Sequence, residues 1–77
     1  MKNLNFRLDE CPKGLIDLQI SADENAIFTY FVEYTDISDI LNWVANLGCK
    51  FGDDAEIHIN FEKETIEIVL PLQIFKI

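Results

Sequence analysis

Apolar and polar residues alternate over most of this chain, and the alternation gives way to another period only once, between residues 36 and 48. In LNFRL, Leu4, Phe6 and Leu8 face one way and Asn5 and Arg7 the other, the period-two signature of a half-buried strand. DECPKG (9–14) follows as a turn, since Pro12 lacks an N–H and Gly14 accepts a positive φ. LIDLQIS then sets Ile16, Leu18 and Ile20 against Asp17, Gln19 and Ser21, and ADEN (22–25) closes a polar hairpin. AIFTYFVEY (26–34) is apolar on both sides: Phe28, Tyr30, Val32 and Tyr34 on one, Ile27 and Phe31 with Thr29 and Glu33 on the other. That pattern predicts a central strand, or one whose second face meets another surface.

The exception is YTDISDILNWVANLGCKF (34–51). Ile37, Ile40, Leu41, Val44 and Leu47 fall at the spacing of one buried helical stripe. Thr35 or Asp36 caps its start, Asp36 and Asp39 suit the positive end of the helix dipole, and Gly48 ends it. Cys49 is expected to fold back on the last turn. After KFGDDA, Ile57, Ile59 and Phe61 oppose Glu56, His58 and Asn60; EKET (62–65) turns the chain; Ile66, Ile68 and Leu70 oppose Glu67 and Val69. Pro71 suits an edge position or a bend, with Phe75 and Ile77 projecting away from the phase of Leu70, Leu72 and Ile74. The expected order is β-β-β-α-β-β: an α+β fold in which one small antiparallel sheet carries one helix on one face, residues 1–77 forming a single domain.

Composition narrows the class. At 49% apolar and 12% aromatic, the 77 residues are too hydrophobic for a disordered chain. No apolar run nears the roughly 20 residues that cross a bilayer, and MKNLNFRLDE has no apolar stretch of a secretory signal. A cytoplasmic protein of a bacterial or phage-infected cell is expected, with Cys11 and Cys49 reduced. Fourteen acidic against six basic residues leave a net charge of −8, which argues against direct binding to nucleic acid or an anionic membrane. The same charge favours encounter with a basic partner, or serves solubility alone.

Candidate chemistry is sparse. His58 with Glu56 is too few ligands for zinc, FGDDAE lacks the spacing of a calcium loop, and Gly14, Gly48 and Gly52 form no phosphate cradle. Ser21 and Ser38 lack a nucleophile's context. No catalytic residue, metal or cofactor is expected, and the chain is read as a non-enzyme. Binding residues are better marked. On the helical wheel Trp43 sits at the shoulder of the apolar stripe with Asp36 and Asp39, and Asn46 a little further round. It either closes the margin of a small core, its N–H reaching water or a carbonyl, or anchors a partner whose Lys and Arg pair with the acids. The sheet face away from the helix holds Asp17, Gln19, Ile27, Thr29, Phe31, Glu33, Glu56, His58, Glu67 and Val69, an apolar centre with a charged rim. The expected partner-binding residues are thus Trp43, Asp36, Asp39 and Asn46 on the helix, and Ile27, Phe31, Glu33, Glu56 and Glu67 on the sheet.

In size, acidity and α+β pattern the chain resembles the bacterial immunity proteins that neutralise toxins, and the phage-encoded inhibitors of host defence enzymes. The likeness carries no functional residue over. It implies a non-enzymatic inhibitor that occludes the site of a basic protein, such as a nuclease or nucleic-acid-binding enzyme. The alternative is a homodimer or assembly subunit without inhibitory role, built through the Ile27/Phe31 face or the strand after Pro71.

Overall fold

The structure, a computed structural model, describes residues 11–75. The LNFRL strand and Ile77 of the sequence reading lie outside that range. Four strands, β1 (Leu15–Ile20), β2 (Asn25–Phe31), β3 (Glu56–Asn60) and β4 (Thr65–Pro71), and one helix, α1 (Ile37–Asn46), follow in the order β1-β2-α1-β3-β4. The strands form one antiparallel sheet with spatial order β1-β2-β4-β3. The fold is α+β with α1 on one face. No helix among the described residues is long and apolar enough to cross a membrane.

Alternation and register together build the core. β2 buries Ala26, Phe28 and Tyr30, which pair with Leu70, Ile68 and Ile66 of β4 on the same face. Onto that surface α1 lays Ile40, Trp43 and Val44, and Cys49, Ala55, Leu72 and Phe75 complete the cluster. β2 is central, as its two-sided apolar character predicts, but it ends at Phe31. Val32–Tyr34 coil into a 3-10 turn, with the Thr35 hydroxyl donating to the Phe31 carbonyl, so Val32 and Tyr34 do not continue the inward row. Tyr34 is 75% exposed.

Three further elements depart from the simple period. The β1 register slips between Leu15, opposite Tyr30, and Asp17, opposite Thr29, so Ile16 is an extra, exposed residue and Leu15 takes the inward place expected for Ile16. On β3 the inward phase is right, yet Ile59 is 49% and Phe61 85% exposed. A ten-residue helix is only about 15 Å long and leaves that end of the sheet uncovered. Pro71 closes a central strand rather than an edge. The N–H of Val32 bonds the Glu64 carbonyl at one end of the β2/β4 ladder, and the N–H of Leu72 bonds the Glu24 carbonyl at the other. Because bonded pairs alternate, the position of Pro71 faces the β3 side, where β3 has already ended at Glu56, and its missing N–H costs no ladder bond. The chain then turns in over Leu72–Phe75, burying Phe75 against Phe28 instead of projecting it away.

Helix α1 carries the caps its sequence predicts. Asp36 is the N-cap and accepts from the N–H of Ser38 at 2.9 Å. Gly48 adopts φ 81° and its N–H reaches the Ala45 carbonyl, while the N–H of Cys49 reaches that of Val44, a paired closure that brings Cys49 into the core. The buried face, however, is turned from the expected stripe. Ile40, Trp43 and Val44 are inside, Leu47 packs at the margin, and Ile37 and Leu41 are exposed. Trp43→Ala is therefore expected to cost about 3–5 kcal/mol in chemical denaturation, against about 1 kcal/mol or less for Leu41→Ala. Equal losses at the two positions would mean that the helix faces the sheet as its period alone suggests.

Candidate functional site: an acidic cleft beside the helix

Asp36, Asp39, Trp43 and Asn46 recur every three or four residues, so one side of α1 carries all four. They line a cleft of about 610 Å³, joined by Asn42 and Leu47 from the helix, Tyr34 from the 3-10 turn, and Cys11, Pro12 and Lys13 from the segment entering β1. That segment is fixed from beneath. The Tyr30 hydroxyl donates to the Pro12 carbonyl at 3.0 Å, and burial, then the adjacent Cys11 thiol, push the phenol well above its ordinary value of 10.0.

The four helix residues expected to bind a partner are thus brought together, in unequal roles. Asp36 and Asp39 are exposed. Asp36 also accepts from the Ser38 hydroxyl at 2.5 Å, and this bond and that of the Ser38 N–H hold its carboxyl below the usual carboxylate range. Trp43, by contrast, is 5% exposed and meets Phe28 edge to face, with ring centroids 4.9 Å apart at 80°. It belongs to the core rather than projecting as a free anchor, because the indole buries more apolar area than Ile37 or Leu41 would in its place. No carbonyl among the described residues takes its N–H, and Nε1 is buried without an acceptor there.

The second predicted surface is also assembled by register. Gln19, Ile27, Val69 and Glu56 form one row across the outer face, and Asp17, Thr29, Glu67 and His58 the next. Phe31 pairs with Thr65 and stands edge to face with Tyr34 at 6.3 Å. Glu56 accepts a hydrogen bond from His58 Nε2 at 2.9 Å when that nitrogen is protonated, both side chains being exposed. Glu33 separates from the group. It sits in the 3-10 turn and lines a groove of about 570 Å³ with Val32, Ile59, Asn60, Phe61 and Glu64.

Tyr34, Asn42, Lys13 and Phe61 are the surface residues that sequence reasoning did not single out. The polar ones give no periodic signal, and the aromatics alternate in phase with core positions. The acids of the 51–56 loop are explained by the turn itself, since the Asp54 carboxylate accepts from the Lys50 N–H at 3.2 Å. Burial, with Asp54 nearby, raises the Cys49 thiol. Among the described residues no three His, Cys, Asp or Glu side chains stand together as a metal-ligand set.

Comparison with protein-family models, with curated proteins and with solved structures gives no match for this chain. The reading of the cleft accordingly rests on its own chemistry. Its aromatic rim, two helix carboxylates and two amides suit a cationic side chain; among the described residues Lys13 is the one cationic residue that lines it.

The depressed Asp36 carboxyl sets an acid dependence. A group lowered in the folded state stabilises fully above its ordinary value of 3.8, and that contribution is lost as pH falls through the lowered value. Asp36→Asn keeps a capping side chain without the charge. Its unfolding midpoint should trail wild type by a constant margin from neutral pH to about pH 5, and the two should converge in strong acid. A margin unchanged in strong acid would show that the charge of Asp36 contributes nothing to stability.

Proposed function

We propose that this chain is a non-enzymatic binding protein that inhibits a basic protein, of nuclease or nucleic-acid-binding type, by stoichiometric occlusion. On this reading its mode of action resembles that of toxin-immunity proteins and phage anti-defence inhibitors. The observation that carries the reading is the cleft. It gathers Asp36 and Asp39 on one helix side with the exposed Tyr34 ring and the Asn42 and Asn46 amides, in a chain of net charge −8. A Lys or Arg entering it exchanges water for two carboxylates and an aromatic face. The outer sheet face, with Ile27 and Phe31 among Glu56 and Glu67, offers a second contact of the same sign.

Asp36 and Asp39 are exposed, so they contribute more to encounter rate and specificity than to raw affinity. Trp43 supports the cleft from the core and is not itself the hot spot. The test is capture from a bacterial lysate on the immobilised protein, followed by assay of the captured protein's nucleic-acid activity. The expected result is a basic protein that loses activity at one equivalent. Binding should fall about tenfold or more with Asp36→Asn/Asp39→Asn and weaken with added salt. Capture indifferent to both acids and to salt would move the site off this cleft, and a captured protein with full activity would remove the inhibitory reading.

A further inference from the structure

We propose that a second copy of this chain pairs with β3, antiparallel and centred on His58, so that two four-stranded sheets join into one across a two-fold axis. The proposal is independent of the inhibitory reading and uses none of the cleft residues.

Among the described residues the sheet has two edges, β1 and β3. An open edge invites another strand unless it is bulged, charged or interrupted by proline. β1 is bulged at Ile16, which breaks its ladder. β3 has neither bulge nor proline: its register with β4 runs without a slip from Glu56, opposite Val69, to Asn60, opposite Thr65. Its sequence, EIHIN, contains a single acid. β1, LIDLQI, also contains one acid, so it is the bulge and not the charge that separates the two edges.

The backbone fixes the register. Since Val32 bonds Glu64 and Leu72 bonds Glu24, the alternate residues Ile66, Ile68 and Leu70 bond toward β2, and Thr65, Glu67 and Val69 toward β3. Their β3 partners Asn60, His58 and Glu56 therefore turn N–H and C=O inward. Those of Ile57 and Ile59 point out from the sheet.

Centred on His58, Ile57 of one copy exchanges both bonds with the partner's Ile59, and Ile59 with the partner's Ile57, so every outward group of the strand is used. Glu56 then faces the partner's Asn60, and within β3 no acid faces an acid. Shifting the centre to Ile57 sets Ile59 against the partner's Ala55, whose N–H and C=O are already bonded to Lys50 and Gly52. Shifting it to Ile59 carries Ile57 past the end of the strand, opposite the partner's Phe61 in the 61–64 turn. The backbone selects the His58 register, the one that uses the outward groups of both Ile57 and Ile59 within β3. In it the half-exposed Ile59 meets the partner's Ile57, and Phe61, 85% exposed here, comes alongside the partner's Ala55.

Sedimentation of the full chain should give twice the 8.9 kDa protomer mass, falling to one protomer at high dilution. Ile59→Pro removes an outward N–H without touching the β4 ladder and should give a folded monomer by circular dichroism. His58→Cys reports the register even if that variant fails to fold. At a non-bonded pair facing itself, the two Cα atoms lie about 4.5 Å apart, within disulfide reach. The His58→Cys disulfide should form at least about tenfold faster than that of Glu56→Cys, because pairing holds the thiols at high effective concentration. The wild-type chain serves as control for its own cysteines. A wild-type monomer up to the solubility limit overturns the proposal, and so does a dimer in which His58→Cys cross-links no faster than Glu56→Cys.

Discussion

The contact on which the rest depends is the ring of Phe28. It lies in the middle of β2, a central strand, and receives Trp43 edge-on from the helix at 4.9 Å and Phe75 from the C-terminal turn at 5.6 Å. One side chain thus fixes the rotation of α1 and the inward path after Pro71. Burying an indole removes roughly 150–250 Å² from water, an upper bound of roughly 4–6 kcal/mol. Nε1 has no acceptor among the described residues, and a buried donor left so costs about 1–3 kcal/mol. The apolar term wins, and the helix turns Trp43 inward at the expense of Ile37 and Leu41.

That rotation is what makes a cleft. With Trp43 turned against the sheet, Asp36, Asp39 and Asn46 flank an opening whose far wall, Cys11 to Lys13, is tethered by Tyr30. The acidic surface is thereby concave and rests on rigid elements, a capped helix and a buried phenol. The β3 edge shares no residue with the cleft.

Much of this was legible in the sequence. Period-two alternation found β1 to β4 and the outward face that holds Gln19, Ile27, Val69 and Glu56, because a one-sided sheet dictates which residues must be buried; the strand order that aligns them in a row is not carried by the period. Asp36, Gly48 and Cys49 marked the helix ends by local capping chemistry. The failures have a common physical origin. Alternation assigns a face but not a cover, so Ile59 and Phe61 looked internal although α1 is too short to reach them. A bulge adds one residue with no compositional mark, which moved Leu15 into the place of Ile16. A wheel weights residues equally, whereas an indole's area outweighs two smaller side chains at the margin. Pro71 read as an edge or a bend; the bend is found at Leu72–Phe75, and the edge is not, because the direction of the absent N–H depends on the register of two neighbouring strands.

Trp43 is the chain's only tryptophan, so its fluorescence reports this contact alone. The account predicts blue-shifted emission, largely shielded from iodide and acrylamide in the native protein and shifted to the red only on unfolding. Emission from the folded protein at the position of a solvated indole, quenched as readily as free tryptophan, would contradict it.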